Sequence, residues 1–355
     1  MKLYDHPLYR EDLALACAEP LPWEKLEGTC VVVTGASGSI GSFLVDLLLE
    51  KRIPGIRVVA VVRNVENARS RFEQHAGRED FQLVSWDVNQ EAPAGTLPEK
   101  TDYILHAASN THPLAYAKDP IGSLATNVMG TAHLLDYAAA SQARRFVFCS
   151  SVEIYGQNRG DTEAFREDYC GYLDCNTLRA AYREGKRAGE ALCQAYLQQR
   201  GVDFVAPRLA RVYGPALLRS DTKALSQFIW NAVRREDIVL KSEGRQLYSY
   251  LYMADAALGL MYCMLLGETG HAYNLADPAS DVTLRELAAM LAKTAGKQVV
   301  FDLPSELERK GYSTATKALL DAAKARGLGW KAHYGIAEGL ERTVAVLRET
   351  LKETL

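Results

Sequence analysis

Cys30-Val-Val-Val-Thr34 runs without interruption into Gly35-Ala-Ser37-Gly38-Ser-Ile40-Gly41 and then into Ser42-Phe-Leu-Val-Asp-Leu-Leu-Leu-Glu50. The first piece is a short apolar, β-branched run, which reads as a buried strand. The last is a helix that is apolar over most of its length. Between them, Gly35 permits a tight turn, Gly38 lets the backbone approach a pyrophosphate, and Gly41 allows the helix to pack closely on the sheet. The helix N-terminus then offers amide groups and a positive dipole end to an anion. A Gly-x-x-Gly-x-x-Gly spacing is weak evidence alone; following a strand and opening a helix, it predicts a dinucleotide site, with Ser37 and Ile40 in the same contact loop.

The same alternation continues outward. Strands are expected at 57–62, 81–86, 103–107, 145–149 and 203–206, with helices between them, among them one over 123–143 and one carrying Tyr182. This rhythm predicts an α/β fold with a doubly wound parallel sheet of Rossmann type. Residues 1–27 read as an extension packed on the body, 28–207 as the dinucleotide-binding domain, and 208–355 as mainly a smaller α+β substrate lobe. In that lobe helices are expected over 224–235, 254–266, 284–295, 316–326 and 337–349, with short strands at 238–241 and 299–302. Residues 256–276 are expected to return to the main sheet. Ligands should then bind in the cleft at the carboxyl ends of the strands.

Bulk properties agree with an enzyme of this kind. The 355 residues are 48% hydrophobic and 24% charged, with a formal net charge of −3. That balance gives no basis for a nucleic-acid surface. No apolar run reaches the length needed to cross a bilayer, and the opening residues do not read as a signal peptide, so a cytoplasmic location is expected. Seven cysteines scattered along the chain read as reduced thiols. Cys170 and Cys175 are the closest pair, and neither has partners at zinc-ligand spacing.

Chemistry concentrates in two segments. Tyr182 and Lys186 stand one helical turn apart, so an ammonium sits beside a phenol and favours its phenolate form. Ser150-Ser151-Val152-Glu153, about thirty residues upstream, places a hydroxyl and a carboxylate at a strand end. A phenolate, a serine hydroxyl and an ammonium suit removal of a proton from an alcohol while hydride leaves its carbon. Glu153 is additional, since simple alcohol oxidation does not require it.

The end of the second strand bears on the cofactor. An Asp or Glu there accepts from the adenosine ribose in NAD-specific sites. Arg63-Asn64 stands instead, twenty-two residues beyond Gly41, and an arginine suits a 2′-phosphate, favouring NADP over NAD. Asp87, with Val88 beside it, ends the third strand where a carboxylate can accept from the adenine amino group.

Together these residues resemble extended short-chain dehydrogenase/reductases acting on nucleotide sugars. Thr34-Gly-Ala-Ser-Gly-Ser-Ile-Gly41, His106-Ala107-Ala108, Asn127-Val-Met-Gly-Thr131, Tyr213-Gly-Pro215 and Leu328-Gly-Trp330 carry the likeness, which covers roughly residues 29–345. Within it, Ser151-Val-Glu153-Ile-Tyr-Gly156, Glu167-Asp-Tyr-Cys-Gly171 and Arg179-Ala-Ala-Tyr182-Arg-Glu-Gly-Lys186 are similar to stretches of UDP-glucuronate decarboxylases. The resemblance implies that Tyr182 is the base, that Lys186 holds the nicotinamide ribose, and that Ser151 and Glu153 surround the sugar. It adds Ala107, Ala108 and Asn127 to the cofactor contacts and Ser109, Ser151 and Arg179 to the substrate contacts; Arg211, Arg245 and Tyr248 are further substrate-contact candidates by charge and aromatic character rather than by likeness. It also implies a homodimer, joined through a four-helix bundle made from the helices around 123–143 and 182–200.

The chain departs from that pattern in three places. Arg63 replaces an aspartate. Ala210-Arg211-Val-Tyr213-Gly-Pro215 replaces Phe-Asn-Thr-Tyr-Gly-Pro, removing an asparagine. Gln246-Leu-Tyr248-Ser-Tyr250 replaces Gln-Thr-Arg-Ser-Phe, removing an arginine that such enzymes aim at the nucleotide diphosphate; Arg211 or Arg245 is a candidate substitute. In dehydratases that use an Asp-Glu pair, the residue before the glutamate donates a proton, which Val152 cannot do.

The expectation is an NAD(P)-dependent enzyme of the epimerase, dehydratase or decarboxylase type, acting on a nucleotide sugar through a transient 4-keto sugar. An NADPH-dependent keto-sugar reductase is the alternative enzyme, and a non-catalytic dinucleotide-binding sensor the alternative from another class. His112, His133 and His271 are assigned no chemistry.

Overall fold

The protein is described by a computed structural model covering residues 1–111, 118–177, 180–302 and 316–351. β1 (Cys30–Thr34) lies inside a parallel sheet, flanked by β2 (Arg57–Val62) and β4 (Tyr103–His106). Further strands are β3 (Phe81–Ser85), β5 (Arg145–Phe148), β7 (Phe204–Leu209) and β11 (His271–Leu275), in the order β11-β7-β5-β4-β1-β2-β3. The two-residue β6 (Ser150–Ser151) continues beyond β5 and pairs with β7.

Both faces of the sheet are covered, which is why β1 is apolar throughout rather than alternating. Val31 and Val33 point into one hydrophobic core, Cys30 and Val32 into the other. β2 divides likewise, with Val58, Ala60 and Val62 on one face and Val59 and Val61 on the other. Each fully buried valine contributes about 1.5–3 kcal/mol of transfer free energy, so a one-residue slip in register would be unfavourable only through shape, not polarity.

The strand order steps outward from β1 in both directions, with β2 and β3 on one side and β4, β5 and β7 on the other. The crevice at this reversal sits above the carboxyl ends of β1 and β4, where an open α/β sheet binds ligands. The helices Ser39–Glu50, Pro120–Ala140 and Ala180–Arg200 follow β1, β4 and β6 respectively.

A second, mixed sheet joins β8 (Arg211–Tyr213), β10 (Leu247–Tyr252), β12 (Asp281–Thr283) and β14 (Lys317–Ala318), and β9 (Ile238–Leu240) pairs with β13 (Val299–Phe301). The helix expected over 316–326 is not formed as one element. Lys317 and Ala318 pair with Leu247 and Tyr248, Leu320 makes a bridge to Phe165, and only Ala323–Gly327 is helical. Strand pairing with β10 there overrides a local helical preference.

The opening residues form a short turn of 3-10 helix (Leu3–Asp5) and the helix Pro7–Ala18. Tyr9 donates to the buried Asp46 at 2.6 Å, and Tyr252 donates to Asp12 at 2.6 Å, so this segment is fastened to both sheets' helices and strands. Asp46 also receives Arg71 and His75. Burial alone would push its carboxyl up, but Arg71, His75 and Tyr9 outweigh that and hold it below the usual range. No described helix is long and apolar enough to cross a membrane.

Candidate active site

Gly35 adopts φ 65°, and a Cβ placed there would lie 2.7 Å from the Ala107 carbonyl carbon and the Ala108 nitrogen. Glycine is therefore required both for the turn and for the approach of the β4 end. Gly38 caps the Ser39–Glu50 helix in an extended conformation with no side-chain capping bond, leaving the first-turn amides to a ligand. The loop fits a dinucleotide pyrophosphate: exposed Ser37 and half-buried Gly38, Ser39 and Ile40 lie at its rim, over a helix dipole.

Arg63 directly follows β2 and is exposed, while the Asn64 side chain accepts from the Asn67 N–H at 2.9 Å and caps the helix Val65–Arg69. Asp87 is exposed and accepts from the Asn89 N–H at 3.1 Å in a local turn. The Val88 carbonyl lies 2.8 Å from His133 Nδ1, which ties the segment after β3 to the Pro120–Ala140 helix. His133 thus packs rather than presenting itself to a ligand, and His271 pairs with Glu268 at the surface.

Asn127 is fully buried; Ser109 donates to its Oδ1 at 2.9 Å, and its Nδ2 donates to the Ser123 carbonyl at 2.8 Å. Ser109, expected at the sugar, is therefore engaged with a residue expected at the cofactor. His106 lies between Thr34 and Thr131, and burial, with Lys186 nearby, pushes its pKa down to about 3. It is a neutral structural imidazole.

Tyr182 and Lys186 lie on the Ala180–Arg200 helix, and both are buried. Lys186 Nζ donates to the Cys149 carbonyl at 2.7 Å and sits 4.8 Å from the centre of the Phe148 ring. Burial pushes the Lys186 amine down to about 8. The helix can come so close to β5 because Gly189 faces Phe148, where a Cβ would collide with the ring.

Ser151 caps the 3-10 turn Val152–Tyr155, its Oγ accepting from the Glu153 N–H at 3.2 Å. Arg183 Nε donates to Glu153 Oε2 at 2.7 Å, and Arg211 Nη2 donates to Glu153 Oε1 at 3.4 Å. The Arg211 guanidinium lies 3.6 Å from the centre of the Tyr248 ring. Thus Ser151, Glu153, Arg183, Arg211 and Tyr248 form one chain of contacts. Arg245 is not part of it: its side chain is 85% exposed and pairs with Glu243 at 2.8 Å. Arg179 and His112 lie outside the described residues. Among the described residues, no group of three or more His, Cys, Asp or Glu is placed to hold a metal ion.

Arg183 was not marked by sequence reasoning. Its one sequence signal is adjacency to Tyr182, and the partner that gives it meaning stands thirty residues away.

A glycine loop between a central parallel strand and its helix, facing a Tyr-x-x-x-Lys helix, defines an NAD(P)-dependent α/β enzyme of the short-chain dehydrogenase/reductase kind. The model of the NAD dependent epimerase/dehydratase family matches residues 31–276, and the chain belongs to that family. UDP-glucuronic acid decarboxylase 1 of Xenopus tropicalis is 30% identical over 324 residues, covering 91% of this chain and 73% of that protein. UDP-glucuronic acid decarboxylase 2 of Arabidopsis thaliana is 29% identical, covering 92% and 69%. Among solved structures, the dTDP-glucose 4,6-dehydratase of Streptomyces venezuelae with NAD and TYD bound is 25% identical with a TM-score of 0.78, covering 91% of this chain and 98% of that one. The UDP-glucuronic acid 4-epimerase of Bacillus cereus, at 21% identity over 90% and 99% of the two chains and a TM-score of 0.78, shares the fold.

Proposed function

We propose that this enzyme acts on a nucleotide sugar through a transient ketone at C4 of the sugar, in the manner of a UDP-glucuronate decarboxylase. The observation that carries the reading is a buried Lys186 one turn from the buried Tyr182, with Ser151 at the end of β6 and Glu153 in the turn that follows it. A bound nicotinamide dinucleotide supplies the hydride acceptor and later the hydride donor. Gly35, Ser37, Gly38, Ile40 and Gly41 hold its pyrophosphate; Arg63, Asn64, Asp87 and Val88 surround its adenosine; Ala107, Ala108, Asn127 and Lys186 line the way to its nicotinamide ribose.

Tyr182 Oη takes the proton from the sugar O4 hydroxyl as hydride leaves C4. Lys186, charged below about pH 8, stabilises the phenolate, and Ser151 Oγ holds O4 in line. The ketone so formed makes C5 reactive: a proton there becomes acidic, or a carboxylate there departs as carbon dioxide. Glu153, held between Arg183 and Arg211, orients the ring or moves the C5 proton. Tyr182 returns its proton to O4 when hydride comes back to C4, so decarboxylation or epimerisation is redox-neutral overall.

Arg63 favours NADP, because its exposed guanidinium at the end of β2 suits a 2′-phosphate better than a ribose hydroxyl. The same residue supports a second reading, an NADPH-dependent reductase of a nucleotide-linked keto sugar, since NADPH supplies net reducing equivalents. A dimer formed through a four-helix bundle accords with the exposed Ile121 and Met129 on the Pro120–Ala140 helix, 82% and 51% accessible.

Incubation of the protein with UDP-glucuronic acid, other UDP sugars, dTDP sugars and a nucleotide-linked 4-keto sugar, with NAD or NADP and separately with NADH or NADPH, followed by mass spectrometry, tests the reading. Loss of carbon dioxide identifies a decarboxylase, and loss of water a dehydratase. Unchanged mass with altered retention identifies an epimerase. A gain of two hydrogens supports the reductase. No product from any sugar, with either cofactor, overturns both.

A further inference from the structure

The two substrate-side positions at which the chain departs from the decarboxylase-like pattern, Arg211 and Tyr248, touch each other. Arg211 is the first residue of β8, and Tyr248 lies in β10, which pairs with β8 through Tyr250 and Arg211. The guanidinium carbon stands 3.6 Å above the centre of the Tyr248 ring, a face-on cation–π contact. Tyr248 is itself buried, so the ring is a fixed seat. An arginine at position 248 would project its charge from β10; a tyrosine there instead supports a charge delivered from β8.

The guanidinium is not fully used. Nη2 reaches Glu153 at 3.4 Å, a long contact, whereas Arg183 holds the same carboxylate at 2.7 Å. Nη1 is buried and has no hydrogen-bond partner among the described residues. A buried N–H without an acceptor is costly, and a cationic fork presenting one unfilled side suits a phosphate oxygen. Arg245, the other candidate for this task, points to solvent with Glu243.

We propose that Arg211 is the diphosphate-binding cation of this enzyme, supplied from β8 and seated on Tyr248, so that the two departures form one compensated exchange. The inference rests on the nucleotide-sugar reading above. It assigns the substrate phosphates to the unfilled Nη1 side of Arg211, with Glu153 fixing the opposite side of the guanidinium. On this proposal the cation for this task comes from β8 instead of β10.

Titration calorimetry of the whole protein, saturated with its dinucleotide, against UDP, dTDP and UDP-glucuronic acid tests this. Arg211→Asn should weaken both the free nucleoside diphosphate and the nucleotide sugar at least tenfold and to a similar extent, with dinucleotide affinity unchanged and a thermal melt showing the variant folded at the assay temperature. Arg211→Asn combined with Tyr248→Arg should recover most of the lost affinity. Arg211→Lys, which keeps the charge but loses the planar fork, should fall between. Unchanged diphosphate affinity in Arg211→Asn overturns the proposal, as does weakening confined to UDP-glucuronic acid, which would put the contact at the sugar. Should the double variant not fold, the single variants decide alone. If the unaltered protein binds none of these nucleotides, the nucleotide-sugar reading fails and takes this inference with it; binding that survives Arg211→Asn refutes the inference alone.

Discussion

Arg183 Nε lies 2.7 Å from Glu153 Oε2, so the residue after Tyr182 is bonded to the residue two positions after Ser151. The pair links the Ala180–Arg200 helix to the turn following β6. It thereby couples the elements that carry the proposed base and the proposed hydroxyl anchor. With side chains 16% and 28% exposed, the pair is sheltered enough for its charge-assisted hydrogen bond to matter.

Arg183→Gln is therefore expected to lower kcat by roughly 10- to 100-fold through misplacement of Glu153, while KM for the dinucleotide stays the same. Arg183→Lys should restore part of the loss. Steady-state kinetics beside a thermal melt separates this from simple destabilisation. An unchanged kcat would show that the pair has no part in catalysis.

Lys186 gives a pH dependence whose direction is fixed. Its amine is lowered by burial to about 8, so the ammonium that favours the Tyr182 phenolate is present below that pH and lost above it. kcat/KM should fall on the alkaline side with a midpoint near pH 8. Lys186→Met should remove this limb together with about 100-fold or more of the activity. A flat profile to pH 10, well past that midpoint, would contradict the assignment.

On the proposed reading, Arg63 sets the choice between NADP and NAD. Arg63→Ala should weaken NADP by about tenfold, equivalent to ~1.4 kcal/mol, and leave NAD nearly unaffected. Fluorescence titration with both dinucleotides measures the ratio. Equal effects on the two would assign Arg63 to the adenine instead.

Asp46 anchors the N-terminal segment. From its place on the Ser39–Glu50 helix it accepts from Tyr9 at 2.6 Å and from His75 at 2.8 Å and pairs with Arg71. Asp46→Ala strands the Arg71 charge and should cost about 3–5 kcal/mol. Denaturant unfolding checks the size. A loss below about 1 kcal/mol would mean that Arg71 finds solvent or another partner.

The sheet was legible because its strands are buried on both faces, so each appears as an apolar, β-branched run such as Arg57-Val-Val-Ala-Val-Val62. The glycine loop and the Tyr182–Lys186 spacing were legible because their geometry is local to one turn. What the sequence concealed depends on pairing across distance. The strand Lys317–Ala318 lies in a stretch with helical composition and becomes a strand only because Leu247 and Tyr248 offer it an edge. Arg183 and Arg211 meet at Glu153 from positions 30 and 58 residues away, and no periodicity announces that. Ser109 reads as a polar residue at a strand end, and its engagement with Asn127 follows only from how the Pro120–Ala140 helix packs.

The central claim is that Tyr182 moves the O4 proton while hydride leaves C4. The most direct measurement is turnover of UDP-glucuronic acid by the unaltered protein and by Tyr182→Phe, with dinucleotide binding and thermal midpoint recorded for both. The account predicts a loss of about 100- to 10,000-fold in kcat with binding and stability retained. Turnover of Tyr182→Phe at the rate of the unaltered protein would contradict it.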